Sequence, residues 1–328
     1  MEQKIAHLCE KYKLGNLTNS PVIVTGGLMH KMYRVKTDQG EYAIKALNPD
    51  IMQRPEAMRN MINSERISHA LKEEIVLVAA KEFEGQYVVE ADHAYYMIFD
   101  WLEGSSIFVP NIKENHCEQI GKILGRIHAA NICVDGIEKE QNARECFPWD
   151  SFYEEAERQK ATWLAIYEES LLQIKKWDRQ AVESMPRLSA HQVISHRDLD
   201  PKNVMWKDDM PFVIDWEAAG YVNPFQELIE VLNYWAVDEK GNYDKAKCTA
   251  LLHAYTQMVD IRNVDWAAVW SGSFDGMLGW LAYNMRRALG LEGSTEADKK
   301  EGEIQVIGTI QELKKCDIRI EQIKAFLS

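Results

Sequence analysis

Ser195-His196-Arg197-Asp198-Leu199-Asp200-Pro201-Lys202-Asn203 is the stretch that decides how the rest of this chain is read. It contains His-Arg-Asp-Leu, with an asparagine five residues after the aspartate, the spacing of a catalytic loop built for phosphoryl transfer. That reaction needs a carboxylate to orient an attacking hydroxyl and take its proton. It also needs an oxygen ligand that holds Mg²⁺ against the phosphates. Asp198 suits the first task and Asn203 the second.

Asp215 follows Asn203 by twelve residues and closes the apolar run Phe212-Val213-Ile214. A buried strand there delivers a carboxylate at its tip, a ligand that a hard cation prefers. Taken singly, Asp215 is an ordinary turn residue and His196-Arg197-Asp198 an ordinary polar loop; their order and spacing together favour chemistry. Upstream, Lys45 is the one charge in Tyr42-Ala43-Ile44-Lys45-Ala46-Leu47, an apolar strand of the Val-Ala-Ile-Lys kind that anchors phosphates. Its partner carboxylate is expected on the following helix, with Glu65 preferred to Glu56. Gly26-Gly27 lies where a phosphate-covering loop belongs, although without a full Gly-x-Gly-x-x-Gly it is also an ordinary hairpin turn.

The bulk composition agrees with a folded enzyme. Hydrophobic residues make up 46% of 328, ample for a packed core. A net charge of −13 argues against nucleic acid as a partner and suits, without requiring, a cationic one. The six cysteines form no Cys-x-x-Cys pair, as expected of reduced thiols in a cytoplasmic protein. The N-terminus lacks the apolar core of a signal peptide. The least charged stretch, Trp266 to Tyr283, reads as one buried helix rather than a membrane span, so no membrane partner is expected.

Along the chain, short β-rich segments at Pro21–Thr25, Met32–Thr37 and Glu41–Leu47 precede a polar helical stretch from about Ile51 to Glu73. Strand-like runs Gln86–Glu90 and Ala94–Trp101 follow. Beyond Gly104 the pattern becomes helical, with Glu114–Ala130 and a long helix over Phe152–Val182. In the first of these, Gly121 and Gly125 permit close packing. Two β-like runs, Val204–Trp206 and Phe212–Trp216, interrupt the helices. The expected fold is therefore α+β. Residues 1–100 form a small nucleotide-binding lobe, an antiparallel sheet with one main helix. Residues 101–105 form a connector. Residues 106–328 form a larger, mostly helical lobe that carries the catalytic loop and acceptor site.

These features resemble the aminoglycoside phosphotransferase and choline kinase family, a branch of the protein-kinase-like fold. The resemblance rests on Tyr42–Leu47, on Leu124-Gly125-Arg126-Ile127-His128, on Ser195–Asn203, and on Val213-Ile214-Asp215-Trp216-Glu217 with Gly220. It implies a bilobal fold with ATP and Mg²⁺ as cofactors. It also implies adenine contacts from the connector, the Asp100 carbonyl and the Leu102 N–H, with Phe99 as gatekeeper. Arg197 stands where many antibiotic-modifying members have glycine. Asn223-Pro224 and Glu227 replace their Asp-Pro and later Asp, which weakens an antibiotic assignment without touching phosphoryl transfer.

A small hydroxyl-bearing acceptor is expected, because Asp215 is followed by Trp216-Glu217 rather than Phe-Gly and no Ala-Pro-Glu follows to close an activation loop. Candidate acceptor residues are Asp200, Glu217, Trp235, Asp275 and Trp280: acids and aromatic faces that would take an ammonium group. Most of the tryptophans are equally well explained as core. Aminoglycosides, choline, ethanolamine, thiamine, homoserine and sugars all remain open as acceptors. A catalytically retired fold that only binds, or a protein kinase, is the alternative. Oligomeric state is not readable.

Overall fold

The computed structural model describes residues 2–24, 30–139, 143–293 and 295–327. The chain divides into two compact units. The first comprises residues 1–111, 126–137 and 194–220, and the second residues 112–125, 138–193 and 221–328. The catalytic stretch thus belongs with the N-terminal sheet rather than with the helical remainder.

The first unit is built on five antiparallel strands: β1 (Val22–Val24), β2 (Lys31–Lys36), β3 (Glu41–Ala46), β4 (Val89–Ala91) and β5 (Ala94–Asp100), in spatial order β1-β2-β3-β5-β4. Period-two alternation sorts their side chains. Tyr42 and Ile44 of β3, with Tyr96 and Ile98 of β5, enter a core closed by Ile5, Leu8 and Cys9 of helix α1 (Glu2–Lys11). The other face of the sheet carries Lys45, opposite Met97, and Phe99, opposite Ala43. Met97 and Phe99 pack with Met61 of helix α3 (Ala57–Leu71). Strand alternation therefore puts Lys45 on the same face of the sheet as Met97 and Phe99.

The helical stretch expected from Ile51 to Glu73 is two helices, α2 (Pro49–Met52) and α3. Pro55 explains the break, since a proline disfavours helical backbone at the residue before it. Helix α1 was not anticipated. The strand expected over Gln86–Glu90 is shifted to Val89–Ala91, because Phe83 and Gln86 pair across a turn instead.

The catalytic stretch is clamped by main-chain bonds. Strand β6 (Val193–Ser195) leads into it, and strands β7 (Val204–Lys207) and β8 (Met210–Val213) form a hairpin through Asp208 and Asp209, both at positive φ, as a type I′ turn requires. Strand β8 exchanges hydrogen bonds with Val76 and Val78, and β7 with Ser105. The first unit is therefore stitched together at several points.

The second unit is helical. The helix predicted as continuous over Phe152–Val182 is α5 (Trp149–Gln159) and α6 (Leu164–Ser189), broken where Lys160 turns left-handed at φ 54°. Its N–H still caps α5, on Ala156 and Glu157. The segment predicted as one helix over Trp266–Tyr283 is likewise α9 (Trp266–Gly272) and α10 (Asp275–Ala288). Trp149, Phe152, Trp163, Tyr167 and Trp177 pack with Phe274, Leu278 and Leu281, and with Val306 and Ile310 of helix α11 (Glu296–Leu327). Helices α4 (Glu114–Ala130), α7 (Pro224–Trp235) and α8 (Lys245–Thr256) complete the set. Gly121 faces Leu251 so closely that a Cβ there would lie 2.3 Å from the Leu251 carbonyl oxygen. Among the described residues, no helix is long and apolar enough to cross a membrane.

Candidate active site

The site is assembled around the end of β8. The Ile214 N–H donates to the Asn203 carbonyl at 2.9 Å, and the Ile214 carbonyl lies 3.0 Å from His196 Nε2. His196 is fully buried, with its ring edge-on to Trp216. These contacts lock the catalytic loop to the segment that carries Asp215.

Within the loop, Asp198 is half-buried. Its Oδ2 accepts a hydrogen bond from Asn203 Nδ2 at 2.9 Å, and its main-chain oxygen accepts from the same amide at 2.8 Å. Both amide donors of Asn203 point at Asp198, leaving its side-chain oxygen to serve as a ligand. Asp215 adopts left-handed backbone, φ 60° and ψ 69°, with its carboxylate 45% exposed. Asn203 and Asp215 together offer two hard oxygen donors, the chemistry that Mg²⁺ requires.

Lys45 is buried and donates to Asp215 Oδ1 at 3.0 Å and to Glu217 Oε1 at 2.5 Å. Burial pulls its pKa down, but the carboxylates of Asp215 and Glu217 outweigh burial and hold it above the ordinary lysine value. Glu65, the expected partner, makes no ion pair with Lys45 among the described residues. Its Oε2 accepts the Ala80 N–H at 2.7 Å and the Ser68 hydroxyl at 3.1 Å. Burial raises the Glu65 pKa, and the Ala80 N–H, Ser68 and Lys45 offset that only in part. On the other side of Lys45's partner Glu217, His30 accepts the Asn48 N–H at Nδ1 and turns Nε2 towards Glu217 Oε2 at 3.6 Å. Burial lowers the His30 pKa more than Glu217 raises it.

The remaining predicted residues fall in several places. Gly26 and Gly27 lie outside the described residues. Phe99 is half-buried in the sheet. Asp100 ends β5 with its carboxylate 2.8 Å from Lys81 Nζ, and Leu102 follows in irregular backbone. Asp200 caps the 3₁₀ turn Pro201–Asn203 by accepting the Lys202 N–H. Arg197, at φ 65°, lays its guanidinium over Gly220, where a Cβ would come within 2.9 Å of Nη1.

In the second unit, Trp235 is fully buried and Trp280 is half-exposed, stacked on Tyr283. Asp275 meets Arg144 at 2.6 Å, and Arg144 also contacts the buried Asp178 at 2.7 Å. Two of the candidate acceptor acids, Glu217 and Asp275, thus find a cation within the chain. Lys202, His30 and Arg144 were missed. Lys202 had a signal, its place four residues after Asp198. The other two had none, because their partners lie far away in sequence.

Comparison with known proteins agrees with this picture. Residues 22–261 match the model of the phosphotransferase enzyme family (APH). Homoserine kinase of Parvibaculum lavamentivorans (strain DS-1) is 29% identical over 163 residues, 49% of this chain and 48% of the relative. The chain thus spans about half the length of that relative. Spectinomycin phosphotransferase APH(9)-Ia, solved with ADP and spectinomycin, superposes with a TM-score of 0.71 at 14% identity, covering 98% of this chain and 99% of its own. Choline kinase of Cryptosporidium parvum Iowa II gives a TM-score of 0.59 at 13% identity, covering 99% of both chains. The backbone is thus protein-kinase-like, and the family model extends over most of the chain, through the β3 lysine, the catalytic loop and the segment beyond Asp215: the chain belongs to the phosphotransferase enzyme family.

Proposed function

We propose that the protein is a small-molecule kinase that transfers the γ-phosphoryl group of ATP to a hydroxyl of an acceptor bearing a nitrogen cation, an amino alcohol in the broad sense. The observation that carries this reading is the pairing of Asp198 with Asn203, held by Ile214 beside the Lys45–Asp215–Glu217 cluster. Asp198 presents a carboxylate that orients the acceptor hydroxyl and takes its proton as the oxygen attacks phosphorus. Lys45 binds the nucleotide phosphates, and Glu217 holds Lys45 in place. Phe99, Asp100 and Leu102 frame the adenine. Asn203 and Asp215 would hold Mg²⁺, which would supply charge neutralisation on the phosphates.

The amino-alcohol class draws support from the acidic chain and from the acceptors named for its relatives, homoserine, spectinomycin and choline. Each joins a hydroxyl to a cationic nitrogen. Homoserine is the first candidate, since that relative shares the highest identity of the three. A coupled ADP-release assay with MgATP, screened across homoserine, choline, ethanolamine and aminoglycosides, tests the reading. Acceptor-dependent ADP release that Asp198→Asn abolishes is the expected result. Release that survives Asp198→Asn, or none with any acceptor, would overturn it.

A further inference from the structure

Lys202 has no part in the function as read so far, yet its ammonium sits on the proposed base. The 3₁₀ turn Pro201–Asn203, capped by Asp200, folds the Lys202 side chain back over the loop. Its Nζ lies 3.2 Å from Asp198 Oδ1, 3.1 Å from Asp198 Oδ2 and 3.8 Å from Asp200 Oδ2. Asp198 is thus contacted on both oxygens by an ammonium and on one of them by the Asn203 amide. An ammonium bridging both carboxylate oxygens takes the hydrogen-bonding positions that an acceptor hydroxyl would need. For Asp198 to receive an acceptor hydroxyl, Lys202 must swing aside. Its side chain is 55% exposed, so it has the freedom to do so.

The surrounding charges say where it goes. Four carboxylates gather here: Asp198, Asp200, Asp215 and Glu217. Lys45 is shared between the last two. Lys202 feels Asp198 and Asp200 most strongly and Asp215 as well. A transferring phosphoryl group placed between Asp198 and the phosphate-binding Lys45 would be the strongest anion within its reach.

We propose that Lys202 is a catalytic cation, which leaves Asp198 for the γ-phosphoryl oxygens when the acceptor hydroxyl takes its place. The inference rests on the kinase reading above. In the transfer, the acceptor oxygen–phosphorus bond forms as the bond from the γ-phosphorus to the bridging oxygen breaks, its electron pair leaving with ADP. The acceptor proton passes to Asp198. Lys202 keeps its three protons throughout and neutralises charge on the phosphoryl oxygens.

The test compares Lys202→Met and Lys202→Arg in the full chain, with unchanged thermal melting as the check on folding. Calorimetric titration with Mg²⁺ and either ADP or a non-hydrolysable ATP analogue gives a readout independent of turnover. Lys202→Met is expected to bind ADP like wild type, but to lose about tenfold in affinity for the triphosphate. Its kcat should fall about 100-fold with little change in acceptor KM, the size expected for one lost transition-state contact. Lys202→Arg should recover most of both. If Lys202→Met keeps wild-type triphosphate affinity and kcat, the inference fails while the kinase reading stands. Equal weakening of ADP and triphosphate would make Lys202 a loop brace, and also overturns it. A wild-type protein that binds neither nucleotide would sink the kinase reading itself.

Discussion

Lys45 and Glu217, 172 residues apart, meet at 2.5 Å in a site where, among the described residues, the helix carboxylate Glu65 makes no ion pair. Lys45 is almost wholly buried, so its charge needs a permanent counterion. Asp215 cannot serve alone once it turns to a metal. Glu217→Gln should therefore weaken MgATP binding about tenfold, while Glu65→Gln changes it less than about threefold. Calorimetric titration of both variants decides. The reverse ranking would return the bracing role to Glu65.

Glu65 carries its own signature in the pH dependence of stability. Its folded pKa is raised by burial, so the folded chain holds this proton more tightly than the unfolded chain does. Stability from this group is complete below the unfolded value of about 4.5 and is lost as pH rises through the folded value. Glutamine removes that ionisation and still accepts the Ala80 N–H. Glu65→Gln should melt above wild type at pH 7.5 and converge with it below pH 4.5. Glu65→Ala, which leaves the Ala80 N–H without its acceptor, should lose about 1–3 kcal/mol. A glutamine variant that melts lower at pH 7.5 would mean that the Glu65 charge is stabilising after all.

What the sequence disclosed follows from how local each signal is. Asp198, Asn203 and Asp215 share one stretch of chain, and Lys45 is a single charge in an alternating strand, so spacing alone is enough to nominate them. Lys45–Glu217 was hidden because it depends on the register of β3 against a distant loop. The break at Lys160 was hidden because a lysine there takes the left-handed turn usually left to glycine. Glu217 and Asp275 are candidate acceptor acids because an acid among apolar neighbours needs a partner. That physical need is real, but Lys45 and Arg144 meet it from positions that no periodicity reveals.

Gly121 and Gly125 were read as one packing feature, yet they differ in how much room they have. A Cβ at Gly121 would stand 2.3 Å from the Leu251 carbonyl oxygen, and one at Gly125 3.3 Å from that of Tyr255. Backbone must shift in the first case and only settle in the second. Gly121→Ala should lose about 1–3 kcal/mol or more in urea unfolding. Gly125→Ala should stay within about 1 kcal/mol of wild type, since the gain in helix propensity offsets mild crowding. Equal losses would show that the two contacts are equally tight.

Arg144 should prove the most stability-critical of the exposed or half-exposed cations, because of what it leaves behind. Asp178 is fully buried in α6, where its Oδ2 accepts the Phe147 N–H at 2.8 Å and the Trp149 indole N–H at 2.7 Å. Its other oxygen relies on Arg144 at 2.7 Å. Arg144→Met strands a buried negative charge and should cost about 3–5 kcal/mol. Asp275 is the half-exposed partner of the same guanidinium, so Asp275→Asn should cost less than about 1 kcal/mol. The double variant Arg144→Met/Asp178→Asn tests the cause rather than the size of the effect. Asparagine can still accept both N–H groups but carries no charge, so it should recover most of the loss. If the double variant is as unstable as Arg144→Met alone, the loss comes from packing of the guanidinium against Phe147, 4.1 Å away, rather than from the stranded carboxylate.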